Sequence, residues 1–249
     1  MLLSLLQKFK INVLCCTPTE YRMMAKLDNL DKYNLDHLHS AVSAGEPLNR
    51  EVVEQFRKHF NLTVRDGYGQ TESTLLIGFL KDTEQRPGSM GKAIPGSRVA
   101  VVDDEGNKVD TNVKGNIALP LDFPGLFKGY FKDEKRTKEA HAGDYYITGD
   151  LAHIDEDGYF WFEGRRDDII ISSGYTIGPF EVEDALTNHP AVKECAVVAS
   201  PHEIRGNIVK AFIILQNNYE GNDELVKELQ TFCKNEVAPY KYPRAIEFV

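Results

Sequence analysis

Short apolar runs alternate with amphipathic stretches over the first third of the chain. Residues 10–16 predict a buried strand, and Thr17-Pro18 then supplies a helix N-cap followed by proline in the first turn. Residues 39–43 predict a second strand, and a second helix follows Asn49. The apolar residues that this helix places on one face are Val52, Val53, Phe56 and Phe60. Strand resumes at 62–64, and this alternation predicts a parallel sheet covered by helices.

The pattern changes beyond Arg86, where glycine and proline crowd together and helical periodicity returns only at 132–140. Two pairs of alternating segments flank turn residues and predict hairpins. These pairs are 98–102 with 108–109 and 151–154 with 159–162. This part of the chain is expected to form a small β module.

After Arg165 an apolar strand at 169–171 is followed by a glycine turn and then by helix, strand, strand and helix. Pro179 is expected to open the first of these helices and His189-Pro190 to end it. The expected class is α/β, with part of a parallel sheet and its helices, then a small β module and a C-terminal α+β domain. The expected domains are 1–85, 86–166 and 167–249.

Composition narrows the function classes. The chain has 249 residues, of which 42% are apolar, and 29 Lys+Arg against 38 Asp+Glu give a formal charge of −9. This balance provides no overall basic field for nucleic acid or anionic lipid, so neither is an expected partner. The apolar runs fall short of the roughly 20 residues of a membrane span. The N-terminus has no basic leader, and a cytoplasmic location is expected.

The cysteines show no zinc-ligand spacing. They stand at 15, 16, 195 and 233, and the first two fall in the strand that we expect to be buried. His37 and His39 have no cysteine or acidic partner placed to complete a tetrahedron. Reduced thiols are expected, without metal coordination by His or Cys.

Two loops lie where ligands bind in parallel sheets, at the carboxyl ends of strands: 43–48 and 66–74. The second contains Asp66-Gly-Tyr-Gly-Gln-Thr-Glu72, with two glycines, a hydroxyl and a carboxylate. Such a loop can approach a phosphate closely, bind it through Thr71 and hold Mg²⁺ through Glu72. The alternative is an ordinary glycine turn with polar residues.

Two further segments carry charge near turns. Asp150 in Thr-Gly-Asp is suited to accept hydrogen bonds from neighbouring sugar hydroxyls, or alternatively to cap its own turn. The segment 164–168, which is charged from Arg165 to Asp168, and the turn residues 172–176 bracket the strand at 169–171. They suggest a hinge near an anionic ligand, and the alternative is a solvated charge run at a strand edge.

The order and joint presence of these segments resemble the adenylate-forming acyl-CoA synthetases, especially the medium-chain branch. The matching segments are SAGEPL (43–48), YGQTE (68–72), TGD (148–150), GRRDDIIISSGYTIGPFEVE (164–183) and APYKYPR (238–244). The resemblance implies a ligase that joins a carboxylic acid to ATP, releases pyrophosphate and passes the acyl group from AMP to coenzyme A. It also implies that the C-terminal domain is mobile and rotates between the two half-reactions.

The resemblance also implies a role for individual residues. Thr71, Glu72 and Asp167 are the expected catalytic residues: Thr71 binds phosphate, Glu72 is the magnesium ligand and Asp167 is the pivot of the rotation. The other nucleotide residues are Gly45, Glu46 and Pro47 along the adenine, Asp66, Gly67 and Tyr68 on its other side, Gln70, and Asp150 and Arg165 at the ribose. Coenzyme A is expected at Ser173, Gly174, Arg205 and Tyr242, with Arg205 reaching its phosphate.

Gly69 bears on the substrate. The acetate-using branch carries a bulky tryptophan at this position, and a glycine is expected to leave an open acyl channel. At about 0.8 kcal/mol per buried methylene, a longer chain gains several kcal/mol over acetate. The sequence therefore predicts a medium-chain or aryl acid.

Three departures from the family pattern limit this expectation. The phosphate loop that ends in lysine would lie upstream of Met1, and the segment with the adenylating lysine would follow Val249. Thr176 stands where close relatives have arginine, and neither Lys210 nor Lys241 occupies that motif position. We therefore expect a fragment that forms no acyl-AMP by itself.

Other interpretations stay open. One is a non-catalytic module that binds a nucleotide or acyl-adenylate, and another is a half-enzyme that needs a partner chain. A homo-oligomer or a missing N-terminal half is the expected protein partner. A carrier-protein thiol is a further candidate acceptor in place of coenzyme A.

Overall fold

Residues 2–249, the part of the chain that the computed structural model describes, divide into compact units. One unit ends at Phe162 and the other is Glu163–Val249. The helices are α1 (Leu2–Lys8), α2 (Pro18–Ala25), α3 (Arg50–Phe60), α4 (Glu134–Glu139), α5 (Pro179–Thr187) and α6 (Asp223–Glu236). Short 3-10 turns lie at Leu30–Lys32 and Arg166–Asp168.

The strands alternate with helices early in the chain and then follow one another. The strands are β1 (Val13–Cys16), β2 (Ser40–Ala44), β3 (Val64–Gly69), β4 (Leu75–Gly78), β5 (Gly91–Ala93), β6 (Ala100–Val102), β7 (Gly115–Pro120), β8 (His141–Ala142), β9 (Tyr145–Ile154), β10 (Tyr159–Arg165), β11 (Ile170–Ser172), β12 (Tyr175–Ile177), β13 (Val192–His202), β14 (Gly206–Leu215) and β15 (Ala245–Phe248).

One sheet runs through the first unit in the order β1-β2-β3-β4-β5-β10-β9-β7-β6, with β8 on β9. β1, β2 and β3 are parallel, as the alternation of strand and helix predicts. From β4 onward the pairings are antiparallel. The mixed α/β class is therefore confirmed, and the hairpin region continues the same sheet instead of starting a second one. The expected domain boundaries at 85/86 and 166/167 stay predictions.

Local sequence explains the helices that cover the parallel strands. Thr17 and Glu20 form a capping box at the start of α2, which begins with Pro18. In α3 the buried residues are Val52, Val53 and Phe56. The Tyr21 and Phe56 rings meet edge to face at 5.2 Å in the core between the two helices.

The expectation that Cys15 and Cys16 are buried is wrong. Cys15 is exposed and Cys16 is half-buried, because β1 is the edge strand of the sheet and its two faces are not both covered. Partial burial raises the pKa of the Cys16 thiol to about 11, and Glu20 adds to this effect.

Of the two predicted hairpins, the one at 151–154 and 159–162 is present and the one at 98–102 and 108–109 is reduced to a single bridge. β9 and β10 are neighbours, whereas β6 pairs with β7 and makes a single bridge, Val102 to Lys108, to the segment expected to be its partner. The indole N–H of Trp161 in β10 donates to Asp155 Oδ2 at 2.9 Å, and its ring stacks on His153.

The second unit is a sheet in the order β12-β11-β14-β13, with β15 parallel to β14. α5 and α6 contribute to its core, whose fully buried members are Ile170, Ile177, Val182, Leu186, Ala191, Val192, Ala211, Ile213, Leu229 and Cys233. α5 begins at Pro179 as predicted. No helix within residues 2–249 combines the length and apolar character needed to cross a membrane.

Candidate functional site

The expected adenine loop follows β2. Gly45 has φ +103°, a conformation that favours glycine, and Gly45 and Glu46 are exposed while Pro47 is half-buried. The Glu46 carboxylate is held from α2: its Oε2 accepts hydrogen bonds from Thr19 Oγ1 at 2.7 Å and from Arg22 Nη2 at 3.0 Å.

Arg22 is a residue that sequence reasoning missed. Its Nη1 also donates to Asn49 Oδ1 at 3.0 Å, so Asn49 stands at the N-cap of α3 but its side chain bonds to Arg22 and not to the helix. Arg22 thus ties the Gly45–Pro47 loop to two helices. Nothing in the sequence signals a contact with residues 24 and 27 positions away.

The second expected loop is shorter than predicted. Asp66, Gly67, Tyr68 and Gly69 belong to β3, since β4 pairs with this segment in the register Gly67 to Gly78 and Tyr68 to Ile77. The turn itself follows Gln70, whose backbone N–H donates to Ser73 Oγ at 3.2 Å. The expected loop over 66–74 is therefore wrong for its first four residues.

Asp66 is a buried carboxyl group, 9% exposed. It lines a small cavity whose other walls include Leu48, Phe79 and Arg86. The Gly67 backbone N–H donates to its Oδ1 at 3.0 Å. Burial raises the pKa of Asp66 to about 7 and outweighs the backbone hydrogen bonds from Gly67 and Leu48, which lower it.

Asp150 joins the Thr-Gly-Asp segment to the Tyr68–Glu72 segment. Its Oδ2 accepts hydrogen bonds from Tyr68 Oη at 2.6 Å and from Gln70 Nε2 at 2.8 Å, although these residues lie about 80 positions earlier in the chain. Asp150 is 5% exposed and lies within β9. It therefore binds across the sheet instead of capping its own turn. Burial and the neighbouring carboxylate of Asp150 raise the pKa of Tyr68 above its ordinary range.

The expected magnesium ligand lies just beyond. Thr71 is exposed and Glu72 is half-buried. Glu72 Oε1 accepts a hydrogen bond from Tyr130 Oη at 3.1 Å, and its carbonyl accepts one from the Phe127 N–H at 2.7 Å. Within residues 2–249 no group of three or more His, Cys, Asp or Glu side chains is arranged for a metal ion. One carboxylate and one hydroxyl fit Mg²⁺, which is commonly held by one or two carboxylates together with substrate phosphates.

The space beside Gly69 is filled by backbone. A Cβ at this position would lie 2.2 Å from the Thr74 carbonyl oxygen and 3.1 Å from Leu75 Cα. Gly69 allows β3 and β4 to approach closely, and the expected open channel beside it is wrong at this point.

The coenzyme A residues lie in the second unit, where the structure brings some of them together. Arg205 Nη1 donates to Ser173 Oγ at 3.0 Å, and the Ser173 N–H donates to the Arg205 carbonyl at 3.2 Å. Ser173 and Gly174 form the turn between β11 and β12 with φ values of +50° and +83°. Tyr242 accepts a hydrogen bond from Arg244 Nη1 at 2.9 Å.

Other residues of the second unit make contacts of their own. The Tyr175 and Tyr240 rings stack with centroids 4.4 Å apart. Lys241 forms an ion pair with Glu181 at the start of α5. Arg165 ends β10, Asp167 lies in a 3-10 turn and Thr176 lies in β12, and all three are exposed.

Comparison with known families settles the affiliation. Residues 1–131 match the family model described as AMP-binding enzyme, and residues 181–249 match the model described as AMP-binding enzyme C-terminal domain. The chain belongs to the AMP-binding enzyme family. The resemblance drawn from the motifs is thereby confirmed.

Curated acyl-CoA ligases and synthetases are similar to this chain in sequence. The chain is 64% identical to an uncharacterized acyl-CoA ligase, YtcI, of Bacillus subtilis, over 99% of the chain and 47% of the relative. It is 49% identical to mitochondrial acyl-coenzyme A synthetase ACSM3 of Mus musculus, over 100% of the chain and 43% of the relative. The chain spans about half the length of the curated relatives it matches.

Solved structures of CoA ligases are similar to this chain in fold. The anthranilate CoA ligase AuaEII in complex with anthranoyl-AMP matches with a TM-score of 0.92 and 34% identity, over 100% of this chain and 48% of that one. A benzoate CoA ligase from Burkholderia xenovorans LB400 matches with a TM-score of 0.87 and 29% identity, over 100% and 49%.

Proposed function

We propose that this chain is part of an AMP-forming acid–thiol ligase, which activates a carboxylic acid as acyl-AMP and transfers the acyl group to coenzyme A. The observation that carries the proposal is the convergence of Tyr68 and Gln70 on the buried carboxylate of Asp150. This contact joins the two segments expected to hold the nucleotide, and family membership agrees with it.

The nucleotide site is proposed along the end of β3. The Gly45–Pro47 loop would line the adenine, with Asp66, Gly67 and Tyr68 on its other side. Asp150 Oδ2 accepts hydrogen bonds from Tyr68 and Gln70, and the same carboxylate would also accept hydrogen bonds from the ribose hydroxyls. Because Asp150 is buried, these hydrogen bonds would form in a medium of low dielectric constant, where they are strong. The ribose contact expected of Arg165, which belongs to the second unit, stays a prediction.

The phosphate end is proposed at Thr71 and Glu72. The exposed Thr71 hydroxyl would donate to phosphate, and Glu72 would hold Mg²⁺ through its carboxylate. When bound, Mg²⁺ would supply positive charge at the phosphates. Tyr130 donates to Glu72 and keeps this carboxylate oriented.

The thiolation site is proposed in the second unit. Arg205, fixed by its hydrogen bond to Ser173, would present its guanidinium to a coenzyme A phosphate. Ser173, Gly174 and Tyr242 would contact the same cofactor, and Asp167 would be the pivot for rotation of the unit between half-reactions. The Thr176 side chain carries no positive charge, so phosphate binding at the proposed coenzyme A site relies on Arg205.

We propose a medium-chain or aryl carboxylic acid as the substrate. The support comes from relatives described as ACSM3 and as anthranilate and benzoate CoA ligases. Gly69 no longer supports it, since the space beside this glycine is filled. Each methylene buried in an acyl pocket contributes about 0.8 kcal/mol to binding, which favours longer acids over acetate wherever that pocket lies.

The test is acyl-CoA formation by the protein that contains this chain, with ATP, Mg²⁺ and coenzyme A. We expect octanoate or benzoate to be used faster than acetate, and Asp150→Ala to lower the rate at least about 100-fold by removing a buried ligand of the ribose. Tyr145→Phe is the matched control, because Tyr145 lies in the same strand on the opposite face. AMP binding without any acid-dependent turnover would contradict ligase function and favour a binding module.

The isolated chain 1–249 is expected to release no pyrophosphate with any acid. Pyrophosphate release by this chain alone would overturn that prediction. A comparison of coenzyme A with a carrier-protein thiol as acceptor tests the proposed acceptor. The cytoplasmic location also stays a prediction.

A further inference from the structure

We propose that Tyr130 and Tyr146 are positioning residues that hold the carboxylates of Glu72 and Asp150 in one connected network. The network consists of Asp150, Gln70, Tyr146, Tyr130 and Glu72. The inference rests on the proposed function, because Asp150 and Glu72 are the groups that would meet the ribose and the magnesium ion.

The first half of the network runs from Asp150 to Tyr146 through Gln70. Gln70 Nε2 donates to Asp150 Oδ2 at 2.8 Å and to the Thr148 carbonyl at 3.0 Å. Gln70 Oε1 accepts a hydrogen bond from Tyr146 Oη at 3.1 Å. Both polar atoms of this side chain are thus engaged by protein, which fixes the orientation of the amide. Gln70 therefore acts on the nucleotide through Asp150.

The second half joins Glu72 to Tyr130. Tyr130 Oη donates to Glu72 Oε1 at 3.1 Å, and the Tyr130 ring lies 3.9 Å from the Arg136 guanidinium carbon. The Tyr130 N–H donates to Thr137 Oγ1 at 2.9 Å. α4 thus restrains the phenol by a cation–π contact and a backbone hydrogen bond.

Phe127 links the two halves. Its ring meets Tyr130 edge to face at 4.9 Å and Tyr146 edge to face at 5.4 Å. Tyr146 is 2% exposed, so movement of its ring displaces packed neighbours. Tyr130 and Glu72 also contribute to raising the pKa of Tyr146, after burial, which agrees with their proximity.

This arrangement predicts that a substitution at the Glu72 end of the network alters the position of the Asp150 carboxylate. Phenylalanine at either tyrosine keeps the ring packing and removes one hydroxyl. AMP does not require Mg²⁺, so its affinity reports on Asp150 and not on the metal. A purely local role for Tyr130 would leave AMP affinity unchanged.

The experiment is calorimetric titration with AMP, in the absence of Mg²⁺, of the protein that contains this chain, for Tyr146→Phe, Tyr130→Phe and the double variant. We expect each single variant to raise the Kd of AMP by about 3- to 10-fold. The Kd of the double variant is expected to equal that of the single variant that binds AMP more weakly. Both substitutions interrupt the same network between Glu72 and Asp150, so their effects should not add. Tyr145→Phe, whose ring packs with Ala100, Val102 and Ala118 on the other face of β9, should leave the Kd unchanged.

A second measurement needs no nucleotide. The side-chain amide resonances of Gln70 should shift and exchange faster in both Tyr130→Phe and Tyr146→Phe, and should not change in Tyr145→Phe. If the wild-type protein binds no AMP, the proposed nucleotide site is wrong. The Gln70 resonances still show whether the network exists. Unchanged resonances in Tyr130→Phe, or full additivity of the two variants in AMP binding, would overturn the proposal.

Discussion

Asp66 is a carboxyl group whose ionisation the fold opposes. Its pKa is about 7 in the folded chain, against about 3.9 for an unperturbed aspartate. Between these values the folded state keeps the proton and the unfolded state has lost it. The free energy of unfolding therefore falls by about 1.4 kcal/mol per pH unit from this group as the pH rises through that window.

Asp66→Asn removes this dependence, because an amide does not ionise. We expect the stability of the variant relative to the wild type to rise from about pH 4 to about pH 7 and then to stay level at higher pH. Denaturant unfolding at each pH measures the difference. A difference that is constant across this window would show that Asp66 is ionised in the folded chain.

At the same scale, the sequence predicts candidate site residues but not the hydrogen bonds between them. Tyr68 and Asp150 were both expected at the nucleotide, and their mutual hydrogen bond was not, because sequence patterns carry no information about a contact across 82 positions. Arg22, Tyr130 and Tyr146 were missed for the same reason. By contrast, the capping residue Thr17 was predicted correctly, since its partner Glu20 lies three positions away.

At the scale of elements, the pairing of β3 with β4 decides the shape of the site. Their antiparallel register extends β3 through Gly69, where the backbone of Thr74 comes close. Glycine and polar residues typically mark turns, so the sequence predicts a loop here. Strand propensity at 66–69 is weak, and it is the pairing with Leu75–Gly78 that makes this segment a strand.

Gly69→Ala is expected to be strongly destabilising, by about 2 kcal/mol or more, because its Cβ would lie 2.2 Å from the Thr74 carbonyl oxygen. Gly96→Ala is the matched control: Gly96 has φ +85° and a Cβ added there would meet nothing within 4 Å, so only backbone strain of about 1 kcal/mol applies. Urea unfolding midpoints compare the two variants. A smaller loss for Gly69→Ala than for Gly96→Ala would mean that β4 does not hold its close position.

At the scale of the whole molecule, each unit has a core of its own. The alternation of strands and helices, and the α+β order of the last third, were predictable because each rests on local periodicity and on turn residues. The continuation of the first sheet from β4 to β6 was not, since strand order depends on pairings between distant segments.

Separate cores predict separate unfolding transitions. Leu186→Ala in the second unit and Leu76→Ala in the first each remove a side chain with no exposed surface, at a cost of about 2–5 kcal/mol. We expect each substitution to lower the melting temperature of its own unit and to leave the other transition in place. Scanning calorimetry of the two variants makes the comparison. A single transition that shifts equally in both would mean that the units unfold together.

Trp161 gives the protein a probe for this question without any label. It is the sole tryptophan of the sequence, and it belongs to the first unit, where its indole donates to Asp155 and stacks on His153. Selectively excited tryptophan emission therefore reports on the first unit. Unfolding confined to Glu163–Val249 would change the circular dichroism spectrum before it changes the fluorescence, and the order of the two signals would reveal which unit opens first.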